Sequence, residues 1–249
     1  MKNILLLLFS LNLGLPAWAN GQDRIVIQSE SSGKLKAGTI EYTFQLRDNV
    51  SNKALTDLDL NESHTKKIHF IAYDAALKEF NHVHPLFDGT AWKVELSLPV
   101  DGNYTLWAQG ELLDGTEFST STKTQVADGL PANPVLTLKE VRQGTDGGTI
   151  FDLANTKIKA GKMVMLNFKV SRTDGAPPLL APYLGALAHV IATPAGGTEL
   201  IHVHPMQGNE PNTGMIHATF PKEGPYRLWV QFIDHEELKT IPLSVIVFK

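Results

Sequence analysis

Cysteine is absent from the 249-residue sequence, and neither sign of charge is in large excess. Without cysteine, the chain has no disulfide scaffold, no thiolate metal site and no thiol nucleophile. The 22 Lys and Arg residues and the 26 Asp and Glu residues give a formal net charge of −4. Because nucleic-acid binding requires a clustered excess of basic residues, we expect no nucleic-acid partner. The remaining composition, 43% hydrophobic and 19% charged, is typical of a globular protein with one or two domains.

Residues 1–19 have the pattern of a secretory signal peptide. Lys2 precedes an apolar run over residues 4–15, and the motif Ala17-Trp18-Ala19 follows it. The run is shorter than the ~20 residues that cross a bilayer, and no later run is long and apolar enough to do so. The pattern predicts cleavage after Ala19 and export to the periplasm or the exterior, with no membrane insertion after cleavage.

The rest of the chain repeats itself. The motif KAG occurs at residues 36–38 and again at 159–161, and GNYTLW at residues 102–107 corresponds to GPYRLW at 224–229. A histidine pattern recurs between these motifs in both copies. Three anchors in the same order indicate a tandem duplication. The Gly- and Pro-containing segment at residues 127–134 is typical of a linker between the copies.

Each copy is predicted to be an all-β sandwich. Short segments rich in β-branched and aromatic residues alternate with turn signals such as Asp-Gly at residues 88–89 and 174–175. About seven strands per ~100 residues indicate a sandwich of the immunoglobulin-like or cupredoxin-like kind, and Gly-x-Tyr resembles a tyrosine corner. We therefore expect two tandem domains, over residues 20–128 and 129–249.

The repeated histidines are the candidate site. In each copy one histidine precedes the motif His-Val-His-Pro by 13 residues, which gives two triplets: His69, His82 and His84, and His189, His202 and His204. Residues i and i+2 of a strand project from the same face, and a short turn would return the preceding strand antiparallel beside it. Three imidazoles then converge on one hairpin and form a metal site with an open position. We expect two separate groups of this kind, one in each independent domain.

A single His-x-His is more often structural than metal-binding, but packing does not require histidine at the same three places twice. The surroundings of the two triplets differ. His64 precedes the first triplet and is a candidate fourth ligand, while Met206 follows the second and is a candidate soft axial ligand or a core methionine. We expect His217 and His235 to be surface residues.

The two histidine segments and the Gly-x-Tyr-x-Leu-Trp strand resemble the H-x-H-P secreted domains of bacteria, which are similar to the YtkA and FixH type of small β-sandwich. That family often accompanies copper or heavy-metal resistance. The resemblance implies periplasmic metal handling, with the six triplet histidines as the ligands.

The leading hypothesis is a periplasmic or secreted protein that buffers or delivers copper, with zinc or another divalent transition metal as the alternative, because copper heads the affinity order for imidazole sites. Its partners would be the metal ion and a periplasmic metal-transport or acceptor protein. A metalloenzyme would need a general acid or base near the open position, for which Glu62, Glu95 and Glu199 are only generic candidates. We therefore expect no catalysis. A metal-free interaction or adhesion module is the third hypothesis.

Overall fold

The computed structural model describes residues 24–29, 33–135, 137–197 and 199–249, and the expected signal peptide lies outside them. The all-β prediction is confirmed: within the described residues the regular elements are strands, apart from a short 3-10 helix at Asp57–Asp59. None of the described helices has the length and apolar character needed to cross a membrane.

The first half consists of two sheets. The five-stranded sheet contains, in spatial order, β1 (Ile25–Ser29), β3 (Gly38–Asp48), β9 (Trp92–Leu98) and β8 (Leu86–Phe87), with β4 (Lys53–Leu55) also paired to β3. The six-stranded sheet contains β2 (Leu35–Lys36), β11 (Glu117–Ala127), β10 (Gly102–Leu112), β6 (Ile68–Asp74) and β7 (Phe80–Val83), with β5 (Leu60–Asn61) paired to β10.

The second half repeats this arrangement. Its five-stranded sheet contains β12 (Gln143–Asp146), β13 (Thr149–Leu153), β15 (Met163–Arg172), β20 (Thr213–Thr219) and β19 (Met206–Gln207). Its six-stranded sheet contains β14 (Ile158–Lys159), β22 (Glu237–Phe248), β21 (Gly224–Asp234), β17 (His189–Pro194) and β18 (Ile201–Val203), with β16 (Leu180–Ala181) paired to β21. The predicted tandem β-sandwich is therefore confirmed.

Each half has its own hydrophobic core between its two sheets. Strand β9 shows the expected alternation, because Trp92, Val94, Leu96 and Leu98 are buried in the first core while the intervening side chains are more exposed. The second core is built in the same way from another set of strands. The hydroxyl of Tyr226 donates to the carbonyl of Lys222 at 3.2 Å, which confirms the tyrosine corner in the second half.

Strand β6 departs from this alternation, because all seven of its residues are buried. Phe70 and Ala72 belong to the first core, whereas Ile71 and Tyr73 belong to a third cluster that also contains Trp229 of the second half. Successive side chains of a strand are all buried when both faces of its sheet are covered. The outer faces of the two six-stranded sheets therefore pack against each other.

Aromatic contacts and hydrogen bonds hold this interface. The ring of Trp229 stacks on Phe80 with centroids 4.4 Å apart and lies 5.6 Å from Tyr73. The hydroxyl of Tyr73 accepts a hydrogen bond from the indole N–H of Trp107 at 2.8 Å and donates to the carbonyl of Gly197 at 3.2 Å. The expectation of two independent domains is therefore wrong, because the outer face of one six-stranded sheet is buried against the outer face of the other.

Candidate metal centre

The two histidine hairpins have the predicted antiparallel pairing. In the first half Tyr73 pairs with Phe80 and Ile71 with His82, the register that places His69 opposite His84. In the second half Ile191 pairs with His202, so that His189 lies opposite His204. The period-2 argument from the sequence therefore describes each hairpin correctly.

The two triplets nevertheless form one group. The ring of His69 lies 4.9 Å from that of His202, and the ring of His82 lies 5.6 Å from that of His189, centroid to centroid. The expectation of two separate groups is wrong. Alternation along β6 directs His69 out of its own sandwich, alternation along β17 does the same for His189, and the two outer faces are packed together. These two ring contacts are equivalent with the two halves exchanged, as in an isologous interface.

Four of the rings define the centre of this group. His69, His82, His189 and His202 each offer a nitrogen, and these four atoms lie within 4.8 Å of one another. We call these residues the inner four. Three of them are fully buried and His202 is half-buried, and two come from each half of the chain.

Backbone carbonyls determine which nitrogen of two rings carries the hydrogen. Nε2 of His69 donates to the carbonyl of Ser63 at 3.2 Å, and Nε2 of His189 donates to the carbonyl of Tyr183 at 3.0 Å. A carbonyl oxygen only accepts, so in each neutral ring Nδ1 carries the lone pair. Both carbonyls belong to equivalent tight turns, one closed by a bridge between Ser63 and Lys66. Ligating histidines commonly make this second hydrogen bond.

His82 is oriented by a side chain of the other half. Its Nδ1 donates to Oε1 of Gln231 at 2.8 Å, and Nε2 of Gln231 donates to the hydroxyl of Thr240 at 3.0 Å. The lone pair of His82 is therefore on Nε2, which lies 3.2 Å from the lone pair on Nδ1 of His69. Neither nitrogen of this contact carries a hydrogen, so the contact is repulsive until a cation lies between them.

The remaining rings surround the inner four. Nε2 of His204 lies 3.1 Å from Nδ1 of His189, and Nε2 of His84 is buried without a hydrogen-bond partner among the described residues. His64 stacks on His204 with centroids 3.6 Å apart. It belongs to the first half but lies beside the second triplet. His64 is not one of the inner four, and its role as a further ligand stays a prediction. The inner four, His64, His84 and His204 are together the interdomain histidine cluster.

Met206 and the last two histidines lie elsewhere. Met206 is on β19, paired with Met215 in the five-stranded sheet. His217 is on β20 of the same sheet and is half-buried, and His235 bonds the carboxylate of Asp234 at 2.8 Å.

Burial keeps the rings of the cluster neutral. Desolvation is the main cause that lowers the pKa of His189 to about 4 and the pKa values of His84 and His204 to about 3. It also lowers the pKa of His69, and lowers the pKa values of His82 and His202 well below the usual value. Neutral imidazole is the form that binds metal, so the cluster is ready to act as a ligand set at neutral pH.

Sequence reasoning did not identify Gln231 as part of the site. A signal was present, because glutamine follows the repeated motif Gly-x-Tyr-x-Leu-Trp by two residues in both copies, at Gln109 and Gln231. The register places Gln109 opposite His69 and Gln231 opposite His189. The repeat places a glutamine next to each repeated histidine, but Gln231 bonds His82 of the other half, whereas Gln109 donates to the hydroxyl of Ser119.

Comparisons with known proteins give a family and several distant structural matches. No curated protein matches the sequence. Similar solved structures include the adhesin FdeC of Escherichia coli, with 14% identity, a TM-score of 0.28, and coverage of 91% of this chain and 64% of the adhesin chain. The fibronectin(III)-like modules of CbhA from Clostridium thermocellum share 16% identity at a TM-score of 0.21, with 89% and 93% coverage. A tandem pair of titin Ig domains shares 10% identity at a TM-score of 0.21, with 89% and 97% coverage.

The family is described as "Domain of unknown function (DUF8832)", and its profile matches residues 23–128 and 143–248. The two matches cover most of the chain and correspond to the two sandwiches. The family comparison supports the tandem duplication. It does not show the YtkA and FixH type. The chain belongs to the DUF8832 family and contains two copies of its domain.

Proposed function

We propose that this protein binds a transition-metal ion in the interdomain histidine cluster. The observation that carries the proposal is the contact between Nδ1 of His69 and Nε2 of His82, 3.2 Å apart with both hydrogens held elsewhere. A proton could neutralise the repulsion, but burial lowers the pKa of both rings. A metal ion supplies the positive charge without protonating a buried ring.

The nitrogen–nitrogen distance within each hairpin suits a tetrahedral ion. With metal–nitrogen bonds of about 2.0–2.1 Å, two ligands of a tetrahedral site are ~3.3 Å apart. Nδ1 of His69 lies 3.2 Å from Nε2 of His82, and Nδ1 of His189 lies 3.1 Å from Nε2 of His202. One ion bound by the inner four would thus join the two halves of the chain.

Copper is the ion we propose, with zinc as the alternative. All ligands of the cluster are imidazoles, which suit copper and zinc, and copper binds more tightly to a given nitrogen site. We propose that the protein buffers or delivers this ion in the periplasm, where a metal-transport or acceptor protein would exchange it.

Binding without catalysis is part of the proposal. Of the carboxylates considered as general acids or bases, Glu95 lies opposite Glu41 on the outer face of a different sheet. Glu199 forms an ion pair with Lys222. The positions of Glu95 and Glu199 support a binding role, because a general acid or base must reach the open position of the metal. Glu62 is exposed next to Ser63 and stays a candidate.

The test is a titration of the full chain with Zn²⁺ and then Cu²⁺ at neutral pH, by calorimetry and elemental analysis. We expect one ion per chain in the cluster, and displacement of Zn²⁺ by Cu²⁺. The variants His82→Gln and His202→Gln, one in each half, should both weaken the binding of this one ion. The loss should exceed the ~10–100-fold that follows removal of an orienting partner.

The control variant is His235→Asn, which changes a histidine outside the cluster at a turn with φ of 51° that asparagine tolerates. It should leave the affinity unchanged. Absence of binding by the unaltered protein would refute the proposal. If His82→Gln abolished the binding of one ion while a second ion stayed bound with unchanged affinity, each half would bind its own ion. The proposal of a shared centre would then be wrong.

A further inference from the structure

The exposed face of the second five-stranded sheet carries an unusual set of side chains. Four of the five methionines in the sequence lie there, together with one histidine: Met163, Met165, Met206, Met215 and His217. We call this set the thioether face. The chain has few methionines, so their presence on one surface needs a physical reason.

Strand register brings these side chains together. Met165 lies directly opposite His217, and Met206 lies directly opposite Met215. Met215 and His217 are two residues apart on β20 and therefore share a face. Directly opposite side chains have Cβ atoms ~5 Å apart, within reach of flexible thioethers. Nε2 of His217 already lies 3.1 Å from the sulfur of Met215.

Packing does not account for this face. Met163 is 72% exposed, and Met165 and Met206 are each 55% exposed, so these side chains fill no core. The inner face of the same strands is formed by Leu166 and Ile216, which are buried in the second core. Methionine commonly fills irregular gaps inside proteins, and here it is exposed instead.

The first half provides an internal comparison, because its equivalent sheet has charged residues at this position. Glu41 lies opposite Glu95 there, as Met165 lies opposite His217, and Leu86 lies opposite Lys93, as Met206 lies opposite Met215. Lys93 forms ion pairs with Glu41 at 3.6 Å and Asp88 at 3.1 Å. The same backbone position is therefore occupied by an ordinary ion-paired surface in one half and by thioethers in the other.

We infer that the thioether face is a second metal site, selective for a soft monovalent ion such as Cu⁺. Its ligands are the sulfur atoms of Met165, Met206 and Met215 and the imidazole of His217. Soft thioether ligands suit Cu⁺, whereas a neutral thioether is a weaker donor to Zn²⁺ than a thiolate or an imidazole is. The site is open to solvent and belongs to a different sheet from the interdomain histidine cluster, so it does not depend on the function proposed for that cluster.

The experiment uses Ag⁺, a redox-inert soft monovalent ion, and full-length protein labelled at the methionine methyl groups. It is done in chloride-free buffer and in the His82→Gln/His202→Gln background, which weakens the inner four. We expect Ag⁺ to shift the methyl signals of Met165, Met206 and Met215 with a stoichiometry of one, and Zn²⁺ to leave them in place. The triple variant M165L/M206L/M215L should bind Ag⁺ about tenfold or more weakly, because leucine keeps the apolar volume without the sulfur.

The matched control is E41Q/E95Q, which removes charge from the equivalent face of the first half. It should leave Ag⁺ binding unchanged, which separates thioether ligation from general attraction of a cation. Circular dichroism and thermal unfolding show whether each variant is folded. Unshifted methyl signals at saturating Ag⁺, or equal affinity in the folded triple variant, would overturn the inference and favour a face that contacts another protein.

Discussion

At the scale of single residues, the decisive features of the histidine cluster are the partners of its N–H groups. The carbonyl of Ser63 fixes the tautomer of His69, and the amide of Gln231 fixes that of His82. Two lone pairs that face each other across 3.2 Å repel each other, and a cation between them would relieve the repulsion.

The lowered pKa values predict that the metal-free protein loses stability in acid. The folded pKa is about 3 for His84 and His204 and about 4 for His189, each lowered chiefly by desolvation, whereas the unfolded value is ~6.5. Between these values the unfolded chain binds more protons than the folded one. Stability should therefore be independent of these groups above pH ~6.5 and fall continuously from there towards pH 3.

Urea unfolding at a series of pH values, with a chelator present, measures this loss. The variant His84→Gln/His204→Gln removes two of the titrating groups, and its unfolding midpoint should fall less steeply below pH 6.5 than that of the unaltered protein. Identical slopes would show that these two rings do not titrate on unfolding in that range.

At the scale of elements, β6 and β17 each serve two interfaces at once. Phe70 and Ala72 of β6 fill the first core, while His69, Ile71 and Tyr73 face the other half. A strand in this position directs its histidine into the interface between the halves. Alternate side chains point into its own core, and the others point towards the other half. The geometry of the candidate site is thus a consequence of sheet packing.

Tyr73→Phe should destabilise the protein by about 1–3 kcal/mol, the cost of leaving a buried donor without its acceptor. The hydroxyl of Tyr73 is the acceptor for the indole N–H of Trp107 and also bonds the hydroxyl of Thr193 in the other half, at 3.3 Å. Urea unfolding at pH 7 gives the free-energy change. Tyr183→Phe is the control and should change stability by less than about 0.5 kcal/mol, because its ring contact with His189 is kept.

At the scale of the whole molecule, the apolar interface and the histidine cluster are parts of one surface. Trp229 packs on Tyr73 and Phe80, and β21, which carries Trp229, also carries Gln231 that orients His82. Docking of the two halves therefore brings together histidines of both halves in one cluster. An ion bound there should stabilise the docked arrangement by mass action.

Trp229→Ala should cost about 3–5 kcal/mol in the free energy of unfolding and also weaken metal binding. Leu96→Ala in the first core should destabilise by a similar ~2–5 kcal/mol while leaving the metal affinity unchanged, since Leu96 lies in another cluster. Urea unfolding and Zn²⁺ titration of both variants distinguish the two effects. Equal metal affinity in the two variants would mean that docking does not position the ligands.

Much of this structure could be predicted from residues that are close in the chain. Alternation and turn signals are local, so the sandwich class, the duplication and the pairing of His69 with the His82 strand could all be read from the sequence. The register of each hairpin followed from the short turn between its strands. The hairpin pairings depend on contacts within about twenty residues, which the order of residues specifies directly.

The union of the two triplets, the role of Gln231 and the thioether face were decided by the tertiary structure. Period 2 states which side chains share a face of a strand, but not what covers that face. The burial of every residue of β6 results from this packing, because a strand with one buried face would have alternately buried and exposed side chains. Only the packing of one sheet on the other brings His69 next to His202, since these residues belong to different domains and no local rule relates them.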